Sequence, residues 1–388
     1  MPTVTTYPGV FGPYTPITFT RASTATYFDS AGVLQSAAID APRLDYDPAT
    51  LAAQGLLIEE ARTNLLLQSG WAGATSGSPG AAPTSWGLGF GTGTVTTVVS
   101  STAGPIASAV RFDYDNTERV FFDQAITVTS GTQYAFSIYV EALSGAVAGD
   151  VLTVTNGTTS GTVNTFVTSP SVTGRYTLLF TANGNGTVFL RAGAGTTAAL
   201  TGTGSITLSR PQCEAGAFPT SYIPTTTTAL TRAADLASVN TLSPWFNASE
   251  GTIFCQGFTP PGLANFPAIG PALSDGTANN RMIAYVFTNG FYGGATTSGV
   301  SQGNTTVNVT PTIGAQYRFA TAYANNDTQS ALNGTASTVD NTYTVPTVNQ
   351  MRINTNGTAS GNLLNSWIQR ITYYPRRLSQ AELAAITA

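Results

Sequence analysis

Apolar and polar residues alternate one for one over short stretches along most of this chain. From Gln133 to Val140 the apolar side chains of Tyr134, Phe136, Ile138 and Val140 fall on one face, the period-two pattern of a strand with one side buried. Similar runs of Val, Ile, Thr, Tyr and Phe recur, each bounded by Gly, Asn or Pro. Asn-Gly pairs at Asn156-Gly157, Asn185-Gly186, Asn289-Gly290, Asn333-Gly334 and Asn356-Gly357 suit two-residue hairpin turns, whose central residues take positive φ. Several double as Asn-x-Thr sequons, but with no secretory signal the turn reading is the better one. Helical patterning is scarce. Its clearest case is the C-terminus, where Ser379 and Glu382 form a capping box ahead of Leu383 and Ile386. Short strands with turn signals between them predict an all-β chain of β-sandwiches.

At 388 residues the chain has room for two or three domains, each with its own core. Charged residues make up 9% of it, against about 25% in an average globular chain, and Gly, Thr, Ala, Ser and Asn are abundant, so the surface is hydroxyl-rich and nearly neutral. With 42% apolar residues and a net charge of -4 the composition is that of a folding chain. All 15 basic residues are Arg; there is no Lys and no His. The lack of a basic patch argues against nucleic-acid binding. Without imidazole there is no His triad, His metal site or neutral-pH His switch. Cys213 and Cys255 form no CxxC pattern and are expected as buried small hydrophobes. Residues 1–16 carry four prolines and no basic-then-apolar run, so no signal peptide is expected there. No run of about 20 apolar residues could span a membrane.

Composition shifts divide the chain into three. Residues 1–66 concentrate charge, including Arg43, Asp45, Asp47, Glu59, Glu60 and Arg62, and read as an N-terminal connector. Residues 67–224 are a Thr/Gly/Val-rich strand series. Residues 225–388 open on an extended linker, Ile223 to Arg232, and continue as a second strand series. Two short echoes run through the chain: Thr20-Arg21-Ala22 with Thr231-Arg232-Ala233, and Arg43 to Asp47 with Arg111 to Asp115. Chance and shared turn chemistry both account for them.

The stretch from Phe19 to Leu34, continuing through Pro42 to Pro48 and Gly55 to Leu67, resembles a module of bacteriophage head-spike, tail-fibre and other particle-surface proteins. The middle unit resembles a jelly roll of the carbohydrate-binding-module type, with the closing stretch Gln212 to Pro224 similar to the ending of such modules. The last unit, from Glu250-Gly-Thr-Ile-Phe254 to the stretch closing at Ser379, resembles a concanavalin A-like or laminin G-like lectin sandwich. These resemblances imply a particle-anchoring connector at 1–66 followed by jelly-roll and concanavalin A-like sandwiches. They imply a homotrimeric virion fibre or spike, exposed on the particle surface after lysis, whose partners are other phage structural proteins and host cell-surface polysaccharide. Polysaccharide depolymerase and passive capsid spacer are the alternatives, since such folds host binders, enzymes and spacers.

Candidate chemistry is sparse. Asp113, Asp115 and Glu118 have a carboxylate spacing similar to the Glu-x-Asp-x-x-Glu motif of retaining glycosidases on concanavalin-like folds. Asp113 is a shorter acid, and Asn116 and Thr117 replace apolar strand residues, so a strand running into a polar turn neutralised by Arg111 and Arg119 is the preferred reading. No catalytic residue is assigned. The same cluster offers carboxylates to a structural calcium ion, the one cofactor considered. Sugar recognition needs flat aromatic faces beside hydrogen-bonding groups. Two places offer that mix: Trp71 and Trp86 in a Gly/Ser-rich stretch, and Asp275, Asn279 and Arg281 at one turn with Phe291 and Tyr292 at another. Core packing for the two indoles, and hairpin structure for the second group, are the competing explanations. Trp367 is expected in a core strand. The pairs Arg43/Asp45 and Glu59/Arg62 are expected as fork-type hydrogen bonds that fix loops or meet a neighbouring subunit.

Overall fold

A computed structural model describes residues 4–5, 10–11, 15–89, 94–98, 104, 106–115, 119–146, 149–156, 165–167, 170–198, 200, 202–263, 267–353, 355–357 and 365–388. Over these residues the chain is all-β, built of antiparallel strands with one short helix near its C-terminal end.

The first sandwich lies between residues 87 and 215. One five-stranded sheet runs in the order Gly87–Gly89, Val120–Val128, Gly186–Ala194, Leu152–Asn156, Thr165–Val167; the other runs Thr94–Val98, Ala109–Tyr114, Gly204–Ala215, Gln133–Gly145, Gly174–Thr181. Alternation drives the packing: Tyr134, Phe136, Ile138 and Val140 all turn into the core with Phe112, Phe122, Val154, Leu190 and Leu208. The opposite face of the same strand is covered too. Ala135 and Ser137 are fully buried, and Tyr139 meets Phe28 edge-on at 6.0 Å.

The second sandwich packs a seven-stranded sheet on an eight-stranded one. The first runs Val300–Asn308, Gly290–Thr297, Arg281–Phe287, Pro271–Ser274, Gln350–Ile353, Leu236–Val239, Thr18–Thr20. The second runs Thr335–Ala336, Asp327–Leu332, Gln316–Ala324, Glu250–Phe258, Ser366–Tyr374, Ala53–Ile58, Leu44–Tyr46, with Val4–Thr5 also on Ser366–Tyr374. Strands from residues 1–66 therefore belong to both sheets. Ile58, Leu57 and Leu56 pair with Ser366, Trp367 and Ile368, and Thr18–Thr20 closes the edge of the seven-stranded sheet beside Leu236–Val239. Charge clustering marks residues 1–66 as a connector, and the strands of this segment pair into both sheets of the second sandwich.

The stretch Ile223 to Arg232 is docked and not a free linker: Ile223 and Thr225 are buried, and Leu230–Arg232 pairs with Arg62–Asn64. Beneath it lies a buried ion cluster. Arg21 pairs with Asp235 at 3.0 Å, Arg43 with Glu59 at 2.9 Å and with Asp235, and Arg232 with Glu59 at 3.5 Å and Asp235 at 3.8 Å. The anticipated Arg43/Asp45 and Glu59/Arg62 pairs are replaced by these; Arg62 pairs with Glu60. Both arginines of the Thr-Arg-Ala echo thus converge on Asp235, which gives that repeat a shared structural role.

Ser379 and Glu382 form the expected capping box on the helix Gln380–Thr387. Its Leu383 packs with Leu378 and Phe254 over the small side chains of Ala320, Ala322 and Ala331, which let the helix lie close to the eight-stranded sheet. Cys213 and Cys255 are free and buried as expected, and burial pushes both thiols up, Cys255 to about 12.

Candidate functional site

Three of the aromatic candidates are structural. Trp71 is 1% exposed and Trp86 7%, and Trp71 stands edge-on to Trp86, Phe112 and Phe122 at 5.8 to 6.2 Å. The Gly/Ser-rich stretch carrying them lacks strand periodicity because it crosses the end of the first sandwich and plugs its core. Phe291 is 3% exposed and packs on Phe319 inside the second sandwich. None of the three offers a face to a ligand.

The other candidates gather on the outer side of the seven-stranded sheet. Along Arg281–Phe287, Met282 and Val286 point into the core. Period two then puts Arg281, Ile283 and Tyr285 on the outer face. Across the sheet Arg281 lies opposite Thr296 and Thr296 opposite Ser301; Ile283 lies opposite Gly294 and Gly294 opposite Asn304. Together with Asn356 these residues line a groove of about 310 Å³. Gly294 forms its floor: a Cβ there would collide with Asn304 Oδ1.

Tyr285 and Tyr292, a directly opposed pair, stack with centroids 5.1 Å apart and planes within 4° of parallel. Tyr292 also donates its hydroxyl to Asn289 Oδ1 at 2.7 Å. Arg281 Nη1 donates to the Asn356 carbonyl at 2.8 Å, its buried Nε has no hydrogen-bond partner among the described residues, and burial lowers its pKa. Among the described residues Arg281 is the only charged one lining the groove.

Asp275 and Asn279 brace the groove's end and do not line it. Asp275 Oδ1 accepts from Thr277 N at 2.8 Å and Thr277 Oγ1 at 2.6 Å, while Oδ2 accepts from Asn280 Nδ2 at 2.9 Å. The Thr277 and Asn280 side chains hold its carboxyl below the ordinary value. The Asn279 carbonyl accepts from Gly299 N at 2.9 Å, and Asn280 Oδ1 from Ser298 N at 2.9 Å, tying this turn to the hairpin before Ser301.

The groove is lined by one cation, the hydroxyls of Thr296 and Ser301, the carboxamides of Asn304 and Asn356 and the phenol of Tyr285, and among the described residues no Asp, Glu or Cys lines it. That set can bind and orient a polyhydroxylated ligand but supplies no carboxyl pair for acid/base work. Tyr285, Thr296, Ser301, Asn304 and Asn356 escaped the sequence reading because four separate segments contribute them. The outward triplet Arg281, Ile283, Tyr285 opposite Gly293-Gly294 was the available signal.

Elsewhere, Asp113 pairs with Arg111 at 3.0 Å on the surface of the first sandwich, while Asn116 and Glu118 lie outside the described residues. Among the described residues no three His, Cys, Asp or Glu side chains gather as metal ligands would, and no helix is long and apolar enough to cross a membrane.

No family model and no curated protein matches the sequence. Similar solved structures include the CBM40 module of the Ruminococcus gnavus IT-sialidase bound to α2,3-sialyllactose, at 15% identity over 37% of this chain and 84% of that one, with a TM-score of 0.30. Another is domain 4 of AbnA, a GH43 extracellular arabinanase from Geobacillus stearothermophilus, in complex with arabinotriose, at 8% identity over 45% and 84% with a TM-score of 0.31. A Trypanosoma rangeli sialidase is similar at 11% identity over 76% of this chain and 62% of its own length, with a TM-score of 0.30. Likeness at this level names no family for the chain.

Proposed function

We propose that this protein is a glycan-binding surface protein whose second sandwich holds an acidic sugar in the groove over Gly294. The observation that carries the reading is Arg281, a cation with no carboxylate beside it in the groove among the described residues, flanked by hydroxyl and amide groups and by the Tyr285/Tyr292 stack. A guanidinium suits a sugar carboxylate, and the neighbouring Thr, Ser and Asn groups suit its hydroxyls. The resemblance of residues 19–67 to phage particle proteins favours a role on a virion fibre or spike, as a trimer bound to other structural proteins. Weak single sites then suffice, because copies on one particle act together.

Titrating the intact chain with uronic- or sialic-acid-containing oligosaccharides by calorimetry tests the binding reading. Binding that Gly294→Val abolishes supports it; binding unchanged by that substitution sinks it. Immunogold labelling of phage particles with antibody to residues 225–388 tests the location, since label absent from every particle rules out a virion role.

A further inference from the structure

A second cleft, of about 280 Å³, opens where the N-terminal segment and both sandwiches meet. Tyr27 and Tyr46 come from the N-terminal segment, Arg175 from the first sandwich and Trp367 from the second; Tyr27, Tyr46 and Trp367 are each partly exposed. Asp45 is fixed at its wall, with Oδ1 accepting from Phe28 N at 2.7 Å and Oδ2 from the Trp367 indole at 2.8 Å. A carboxylate oxygen accepts more than one hydrogen bond, so both oxygens keep capacity for ligand hydroxyls. Asp45 and Tyr46 also line an adjoining, more apolar hollow of about 290 Å³, so the surface continues past them.

The charge here is opposite to that of the groove. Two carboxylates, Asp45 and Asp47, line the cleft against one guanidinium, Arg175, whose Nη1 donates to the Thr220 carbonyl at 2.6 Å and Nη2 to Ser137 Oγ at 2.9 Å. Glu59, which also lines it, is neutralised by Arg43 and Arg232. An anionic ligand would meet carboxylates; an uncharged sugar would meet aromatic rings and hydroxyl acceptors, the pairing that suits a pyranose.

We infer that the junction cleft is a second glycan site, for an uncharged sugar segment, with Tyr27, Tyr46 and Trp367 as its stacking surfaces and Asp45 as its hydroxyl acceptor. The inference rests on the reading of the protein as glycan-binding, and it makes the chain bivalent, with one site for an acidic sugar and one for a neutral one. A polysaccharide whose repeat contains both would engage the two sites.

The test uses the intact chain, maltohexaose, cellohexaose and chitohexaose as uncharged probes, and hexagalacturonate as the acidic one. Tryptophan emission reports the cleft through Trp367. At least one uncharged hexasaccharide is expected to shift the emission of both the native chain and Gly294→Val. The shift should disappear in Trp367→Phe, and Tyr46→Ala should weaken the same binding about tenfold while Tyr46→Phe retains it. No shift with any uncharged probe, or a shift that survives in both Trp367→Phe and Tyr46→Ala, overturns the cleft site. Hexagalacturonate binding and its loss in Gly294→Val report the groove separately, so either site can fail while the other stands.

Discussion

Asp45 and Glu59 lie close to the same junction and titrate in opposite senses. Burial pushes Asp45 up from 3.8 to about 6, against the donors Phe28 N and Trp367. Burial also pushes Glu59 up, but Arg232, Arg43 and Ser221 outweigh it and hold the carboxyl at about 2, below its ordinary 4.5. For Asp45 the folded value is raised, so its favourable contribution is complete below 3.8 and is lost as pH rises through about 6. For Glu59 the folded value is depressed, so its contribution is present above 4.5 and is lost as pH falls towards 2. Each shift is worth about 3 kcal/mol. Together they favour the fold most between about pH 3.8 and 4.5, and the Asp45 share is then lost as pH rises through about 6. Melting temperatures from pH 5 to 7.5 should fall in the native chain and stay flatter in Asp45→Asn; equal slopes would remove Asp45 from the account. A second residue-scale outcome concerns the groove. Arg281→Ala should weaken binding of acidic oligosaccharides about tenfold by calorimetry, the size of one lost charge-assisted hydrogen bond. Arg281→Lys should recover part of that, since lysine keeps the charge but lacks the fork.

At the scale of elements, the sequence was most informative where one local rule decided the outcome. Alternation placed Tyr134, Phe136, Ile138 and Val140 in a core. Asn333-Gly334 makes the expected hairpin turn, with φ of 45° and 85°, and Ser379/Glu382 caps a helix. Where the outcome depended on a distant neighbour, local rules did not reach. Asn289-Gly290 shifts so that Thr288 and Asn289 turn the chain and Gly290 opens the next strand. The loop of Trp71 and Trp86 has no period, which left exposure and core packing both open, and the rings that decide for the core, Phe112 and Phe122 against Trp71, lie on strands beginning at Ala109 and Val120. Nothing near Arg43 points to Asp235, because that partnership is made by the closing of two sheets. Two outcomes belong to this scale. Asp235→Asn takes the carboxylate from buried Arg21 and leaves Arg43 and Arg232 to share Glu59, and should cost about 3 to 5 kcal/mol in denaturant unfolding. Ala331→Leu should lift the C-terminal helix from the sheet, costing about 1 to 3 kcal/mol and making the last residues sensitive to protease before the rest unfolds.

Across the whole molecule, the second sandwich is built from both ends of the chain and the first is set between them. A fragment of residues 225–388 should therefore be insoluble or molten by circular dichroism and dye binding, because it lacks Thr18–Thr20, Leu44–Tyr46 and Ala53–Ile58 and keeps Arg232 and Asp235 without Arg21, Arg43 and Glu59. A well-folded fragment would contradict the topology. The arrangement also sets a timetable. At about 5 to 20 residues per second, the ribosome releases Ala53–Ile58 some 15 to 60 s, roughly, before its partner Ser366–Tyr374 exists. In that interval the first sandwich, with every strand between residues 87 and 215, has all it needs to close. Ala53–Ile58 can pair with Leu44–Tyr46 meanwhile, but its other edge stays open, and a cell making this protein has to shield that sticky edge until Ser366–Tyr374 arrives.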